Sequence, residues 1–130
     1  VWRLRPDVIV ECGVAHGGSA ILYASILELA GKGFVLGVDV EIRPYNRLAI
    51  ESHPLAHRIR LVEGSSIAAE TVKQVEEACA GARTVLVVLD SNHSEAHVTA
   101  ELEAYHRLVT PGSYAVVMDG AEGPRRRFDL

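Results

Sequence analysis

The sequence predicts an α/β fold built on a doubly wound parallel sheet, and three observations carry that prediction. Five apolar runs alternate with four stretches of helical periodicity, the pattern of successive βαβ units. The runs are mostly continuous Val, Ile and Leu, as expected of strands covered by helices on both faces. Four of the strands end in a carboxylate, at Glu11, Asp39, Asp90 and Asp119, and the first passes straight into a glycine-rich turn. In an open parallel sheet, ligands bind outside the carboxyl ends of the strands, where strand order reverses. Acids at those ends converge on one crevice, which suits a cationic ligand.

The elements follow in order. A first strand over residues 8–12 leads through the turn at 13–18 into a helix over 19–30, whose apolar residues Leu22, Ile26, Leu29 and Ala30 recur at helical spacing. Gly31-Lys32-Gly33 ends that helix. The second strand, 34–40, precedes Arg43-Pro44, where Pro suits the first turn of a helix that runs to about residue 52. A third strand at 59–62 and a helix at 68–80 come next, then a fourth strand at 84–89 and a helix at 95–109. Pro111-Gly112 punctuates the chain before the fifth strand, 114–118. Internal repeats and low-complexity segments are absent from the sequence.

Length and composition bound the function. With 130 residues the chain is expected to form one domain, residues 1–130, with a single sizeable core. A hydrophobic fraction of 48% argues against disorder. The net charge of −4 argues against nucleic acid as a partner, and Arg125-Arg126-Arg127 reads as a solvated tail. Cys12 and Cys79 fall in different elements without metal-ligand spacing, so two free thiols in a reducing cytosol are expected. No apolar run approaches the roughly 20 residues of a membrane helix, and no signal peptide is visible, so a cytoplasmic location is expected. The chain begins at Val1 and stops shortly after Asp119, which suggests a fragment of something longer.

The turn Glu11-Cys12-Gly13-Val14-Ala15-His16-Gly17-Gly18-Ser19 joins the first strand to the first helix. Glycine there gives a tight turn and lets a ligand approach the backbone. Asp39, 26 residues beyond Gly13, stands where an acid accepts hydrogen bonds from ribose hydroxyls. Both features also occur in NAD-binding domains, and Glu11 separates the two readings. A dinucleotide sets its pyrophosphate on the turn and helix N-terminus, where a carboxylate repels it. S-adenosylmethionine brings an amino group and a sulfonium instead, which carboxylates favour. The turn also carries no Lys or Arg. A glycine turn without any ligand remains the bland alternative.

Several stretches resemble one family. They are residues 6–19, with the turn just described; Gly37-Val38-Asp39-Val40-Glu41-Ile42-Arg43-Pro44-Tyr45-Asn46-Arg47; Glu63-Gly64-Ser65-Ser66; and Leu89-Asp90-Ser91-Asn92-His93-Ser94 with His97. Together they resemble the cephalosporin hydroxylase family, which takes in the cephem methoxylation protein and rhamnosyl O-methyltransferases. The resemblance implies a Rossmann-like class I S-adenosylmethionine-dependent methyltransferase core. It implies that Glu11, Gly13 and Gly17, with Gly18 and Ser19 beside them, hold the methionine end of the cofactor. Asp39 would take the ribose, and Ser65 and Ser66 would border the adenine. Asp90 would face both cofactor and methyl-transfer site, with a divalent metal such as Mg²⁺ shared between Asp90 and Asp119. Two departures stand out. Met118 and Asp119 occupy the place of an adjacent acidic pair, which leaves one ligand fewer unless Glu122 swings in. The class I fold also normally has two further strands.

The segment after the fourth strand can be read on its own physics. Asn92 with Glu95 three residues on resembles a capping box for the fourth helix. His93 and His97 would then share one helical face, with His93 nearer Asp90. An acceptor hydroxyl must lose a proton, and His titrates in the right range, so His93 and Asp90 are the candidate catalytic groups. The expected activity is methyl transfer from S-adenosylmethionine to a small-molecule or sugar hydroxyl, and a homo-oligomer is compatible with it. The rivals are a nicotinamide-dependent oxidoreductase or epimerase, and a non-catalytic domain that keeps the cofactor pocket.

Overall fold

The computed structural model describes residues 1–91 and 94–118. Strands β1 (Val8–Cys12), β2 (Phe34–Asp39), β3 (Ile59–Glu63), β4 (Val85–Leu89) and β5 (Ala115–Val117) form one parallel sheet in the order β3-β2-β1-β4-β5. Helices α1 (Gly18–Ala30), α2 (Pro44–Glu51), α3 (Ala69–Cys79) and α4 (Glu95–Tyr105) connect them, with short 3₁₀ turns at Ala56–Arg58 and His106–Leu108. Strand order reverses between β1 and β4, whose last residues, Cys12 and Leu89, lie in register. The acids expected at these strand ends therefore meet at one switch point.

Alternate strand residues face opposite sides of the sheet, and both sides are covered. Val8, Val10 and Cys12 of β1 pack with their neighbours from β2 and β4 against Val75 and Cys79 of α3 and Leu102 and Tyr105 of α4. Ile9, Val35, Leu86 and Val88 pack on the other face against Ala20, Ala24 and Leu27 of α1. Every residue of β1 and β4 is buried, which is why β4 reads as an unbroken apolar run and β1 as one interrupted only by Glu11.

Two expectations about the helices are corrected. The helical spacing of Leu22 and Leu29 does not mark the buried face of α1, because these residues are 57% and 78% exposed. Helix α1 is apolar around most of its circumference, so spacing alone cannot choose a side. The sheet selects the Ala20, Ala24 and Leu27 stripe, whose small alanines let the helix approach closely. The capping of α4 also differs. Ser94, in extended conformation, is the N-cap, and its hydroxyl accepts from the His97 amide at 3.3 Å. An N-cap oxygen reaches the amide three residues on, so with the cap at Ser94 the helix begins at Glu95. The cap is thus Ser94 and not Asn92, and the expected pairing of His93 with His97 involves a residue that is not described. Asn92 and His93 themselves lie outside the described residues.

Candidate functional site

At the switch point the ends of β1 and β4 close tightly. The Asp90 amide donates to the Cys12 carbonyl at 2.8 Å, and the Gly13 amide donates to the Val38 carbonyl at 2.8 Å. Gly13 has φ +99°, and a Cβ there would sit 2.0 Å from the Asp90 carbonyl oxygen. Glycine was expected here for a tight turn and for the close approach of a ligand; the neighbouring strand's backbone requires it as well. Gly17 likewise serves packing, since a Cβ there would fall 2.6 Å from Ile50 of α2. Gly18 is exposed and has open space around it.

Glu11 sits on the α1 side of β1 and is 1% exposed. The Ser19 hydroxyl, in the first turn of α1, donates to Oε1 of its carboxylate. Oε2 is buried without a hydrogen-bond partner. Burial, assisted by the nearby Asp90 charge and opposed by the Ser19 bond, pushes the carboxyl up to about 7 from 4.5.

Asp39 is tied to the glycine turn. Its Oδ2 accepts from the Val14 and Ala15 amides at 2.9 and 3.0 Å, while Oδ1 has only a long contact of 3.4 Å with the Glu41 amide. Ala15 takes φ +49°, a left-handed conformation that costs a non-glycine residue about 1 kcal/mol. The Asp39 bonds help to hold it there. One Asp39 oxygen is thus occupied by the turn, and the other makes only the long Glu41 contact among the described residues.

A cleft of about 630 Å³ opens above these strand ends, a size that suits a small-molecule cofactor. Of the expected residues, Gly13, Asp39, Ser65, Ser66 and Asp90 line it. Glu11, Gly17, Gly18 and Ser19 are not on its wall. His93 and Asp119 lie outside the described residues, and among those described no cluster of three His, Cys, Asp or Glu side chains could hold a metal ion. The thiols are free and buried; burial first, then the Glu101 charge, drives Cys12 well up, and burial raises Cys79 to about 11, so neither is a thiolate at neutral pH.

One polar group was not anticipated. Glu101, on α4, is fully buried, and both its oxygens accept from the Ser91 hydroxyl at 2.9 Å. The His97 Nε2 lies 3.5 Å from Glu101 Oε1, 3.3 Å from the Ser66 hydroxyl and 3.4 Å from that of Ser91. The Tyr105 hydroxyl donates to the Ser66 carbonyl at 2.5 Å. Ser91 and His97 also line the cleft. The i,i+4 spacing of His97 and Glu101 was the available signal, but on a helix that spacing usually marks a solvated pair.

Residues 1–125 match the Rhamnosyl O-methyltransferase/CmcI family. The rhamnosyl O-methyltransferases of Mycobacterium bovis (strain BCG / Pasteur 1173P2) and Mycobacterium tuberculosis (strain ATCC 25618 / H37Rv) are each 33% identical over 124 residues, covering 90% of this chain and 47% of theirs. The Mycobacterium leprae protein of the same name is 32% identical over 121 residues, covering 90% and 50%. The chain therefore spans about half the length of these curated relatives. Among solved structures, MycE methyltransferase from the mycinamycin biosynthetic pathway, in complex with Mg and SAH, aligns with a TM-score of 0.66 at 22% identity, over 87% of this chain and 28% of that one. The structure described as cmcI-N160 SAH aligns with a TM-score of 0.59 at 20% identity, over 91% and 55%. These two likenesses show the shared fold, and the family match covers 125 of 130 residues. The chain belongs to the Rhamnosyl O-methyltransferase/CmcI family, the cephalosporin hydroxylase group of S-adenosylmethionine-dependent methyltransferases.

Proposed function

We propose that this chain binds S-adenosylmethionine in the cleft at the β1/β4 switch point and directs its methyl group to a hydroxyl oxygen of a small molecule. The rhamnosyl unit in the name of its mycobacterial relatives makes a sugar hydroxyl the first acceptor to test. The observation that carries the reading is Glu11, a buried carboxylate with one oxygen lacking a partner beside a glycine turn without basic residues. An unpaired buried carboxylate is costly. A cation satisfies it, and a pyrophosphate would make it worse, which disfavours the nicotinamide reading.

When bound, S-adenosylmethionine supplies an electrophilic methyl group on a sulfonium. The residues then have distinct tasks. Glu11, which is off the cleft wall as it stands, would pair with the amino group by turning its unpaired Oε2 toward the cleft, and the open Oδ1 of Asp39 would accept from a ribose hydroxyl. Gly13 and Ser65 shape the walls, while Gly17, Gly18 and Ser19 set the turn and the start of α1 that support Glu11. Methyl transfer by displacement depends chiefly on alignment in a site that excludes water. His93 and Asp90 are the candidates to take the acceptor's proton; Asp90 lies on the cleft wall, and His93 lies outside the described residues. Of the two acids expected to share Mg²⁺, Asp90 lies on the cleft wall and Asp119 lies outside the described residues.

Calorimetry with S-adenosylhomocysteine, S-adenosylmethionine and NAD⁺ tests the reading. Binding of the first two without NAD⁺ supports it, and tighter binding of NAD⁺ overturns it. Incubation with methyl-labelled S-adenosylmethionine and rhamnosides then tests the acceptor class through transfer of label to the sugar.

A further inference from the structure

We infer that His97, held by Glu101 and Ser91, reads the base of the cofactor, accepting a hydrogen bond from the exocyclic amino group of adenine and so selecting adenine over hypoxanthine. The inference rests on the S-adenosylmethionine reading above and adds the group that recognises the base. With the amino-acid end at Glu11 and the ribose at Asp39, the cleft wall left for the base is formed by Ser65 and Ser66 after β3 and by Ser91 and His97 beside β4. Strands β3 and β4 are separated in the sheet by β2 and β1. Their loops nevertheless meet here, because the Ser66 hydroxyl touches His97 Nε2 and the Tyr105 hydroxyl holds the Ser66 carbonyl. The wall is therefore built from both halves of the fold.

Hydrogen-bond accounting sets the state of the imidazole. The Ser91 hydroxyl spends its single proton on Glu101, so toward His97 it can only accept. Of the three groups around Nε2, the Ser91 oxygen and the Glu101 carboxylate can only accept, so Nε2 carries the hydrogen, and the Ser66 hydroxyl, 3.3 Å away, then faces it as a further acceptor. A carboxylate beside one ring nitrogen fixes the tautomer in this way. In the neutral ring Nδ1 is then a lone-pair acceptor, and it has no protein partner among the described residues. The His97 side chain is partly exposed and the residue lines the cleft, and in this inference its Nδ1 turns toward the incoming N–H. Adenine offers an amino hydrogen; hypoxanthine carries a carbonyl oxygen at that position, which would set two lone pairs against each other. A site built to accept a hydrogen bond rejects analogues that lack the donor.

The test compares S-adenosylhomocysteine with S-inosylhomocysteine by calorimetry on the wild-type chain, His97→Gln and Glu101→Gln. Gln at 97 keeps a donor near the Nε2 position and removes the ring acceptor. The wild type should favour the adenine ligand by about tenfold to a hundredfold. His97→Gln should bring the ratio to about one, and Glu101→Gln should lower it part of the way, because a neutral partner orients the ring less firmly. A purely structural role for His97 would weaken both ligands equally and leave the ratio intact. As a readout free of substitutions, the ¹⁵N resonance of His97 Nδ1 should shift with the adenine ligand and stay in place with the inosine one. Equal binding of the two ligands by the wild type, or an unchanged ratio in His97→Gln, overturns the inference while the cofactor reading stands. Failure of the wild type to bind either ligand overturns both.

Discussion

The Ser19 hydroxyl donates to one oxygen of the Glu11 carboxylate, while the other oxygen is buried and unpaired. Strand β1 presents Glu11 on the face that α1 covers, so a charged group is enclosed with half its hydrogen-bonding capacity unused. Such an arrangement is unfavourable for the empty protein and favourable for a cationic ligand.

The cost should be visible in the pH dependence of stability. Glu11 binds its proton more tightly when folded, at about 7, than when unfolded, at 4.5. Below pH 4.5 both states are protonated and Glu11 costs nothing; between 4.5 and 7 the unfolded state sheds the proton first, and stability falls as pH rises. The full penalty above pH 7 is about 3 kcal/mol. Urea melts across this range should show Glu11→Gln losing less stability between pH 4.5 and 7 than the parent. Parallel profiles would contradict the assignment.

Cofactor binding should carry the opposite sign. A cation draws Glu11 into its ionised form, so binding of S-adenosylmethionine near pH 6 should release a proton, and the affinity should climb with pH before levelling off above about 7. Calorimetry in buffers of different ionisation enthalpy counts that proton. Glu11→Gln should remove the pH-dependent proton release and weaken binding by about 1–3 kcal/mol, the scale of a lost charge-assisted hydrogen bond.

Asp39 is expected to act on the fold before it acts on the ligand. Asp39→Ala removes the acceptor of the Val14 and Ala15 amides, at a cost of about 1–3 kcal/mol. Hydrogen exchange of those two amides should accelerate more than that of the β1 amides. Asp39→Asn keeps an acceptor and should recover part of the stability while still weakening ribose binding.

The two glycines Gly13 and Gly18 should respond oppositely to alanine. Gly13→Ala would drive a Cβ into the Asp90 carbonyl at a positive φ, and a loss of more than about 3 kcal/mol is expected. Gly18 stands in open space at the first position of α1, so alanine should hold or raise the melting temperature. Any loss of cofactor affinity in Gly18→Ala would then report contact with the ligand.

The sequence alone determined the architecture. Strands buried on both faces must be apolar along their whole length, and parallel strands must be separated by helices, so alternation of such runs with helical patterns leaves few other folds. The same reasoning placed Glu11, Asp39 and Asp90 at one edge of the sheet, because a strand's carboxyl end is fixed once its direction is known. The family resemblance was also legible there, since short motifs survive where overall identity is about a third.

Tertiary structure decided the rest, and the reason is common to all the cases. Periodicity reports what each element offers; it does not report what the element meets. Helix α1 offered apolar residues on several sides, and the sheet chose Ala20, Ala24 and Leu27 over Leu22 and Leu29. Gly13 was read as serving a tight turn and a ligand, and the Asp90 backbone adds a requirement that the sequence did not show. Asp39 was read as a ribose acceptor, and the structure shows that one of its oxygens also holds the turn. Glu101 carried no reading in the sequence and is fully enclosed, because α4 sets it beside Cys12, Ser91 and Tyr105. Contacts between residues far apart in the chain depend on which elements the sheet brings together, and no local pattern carries that information.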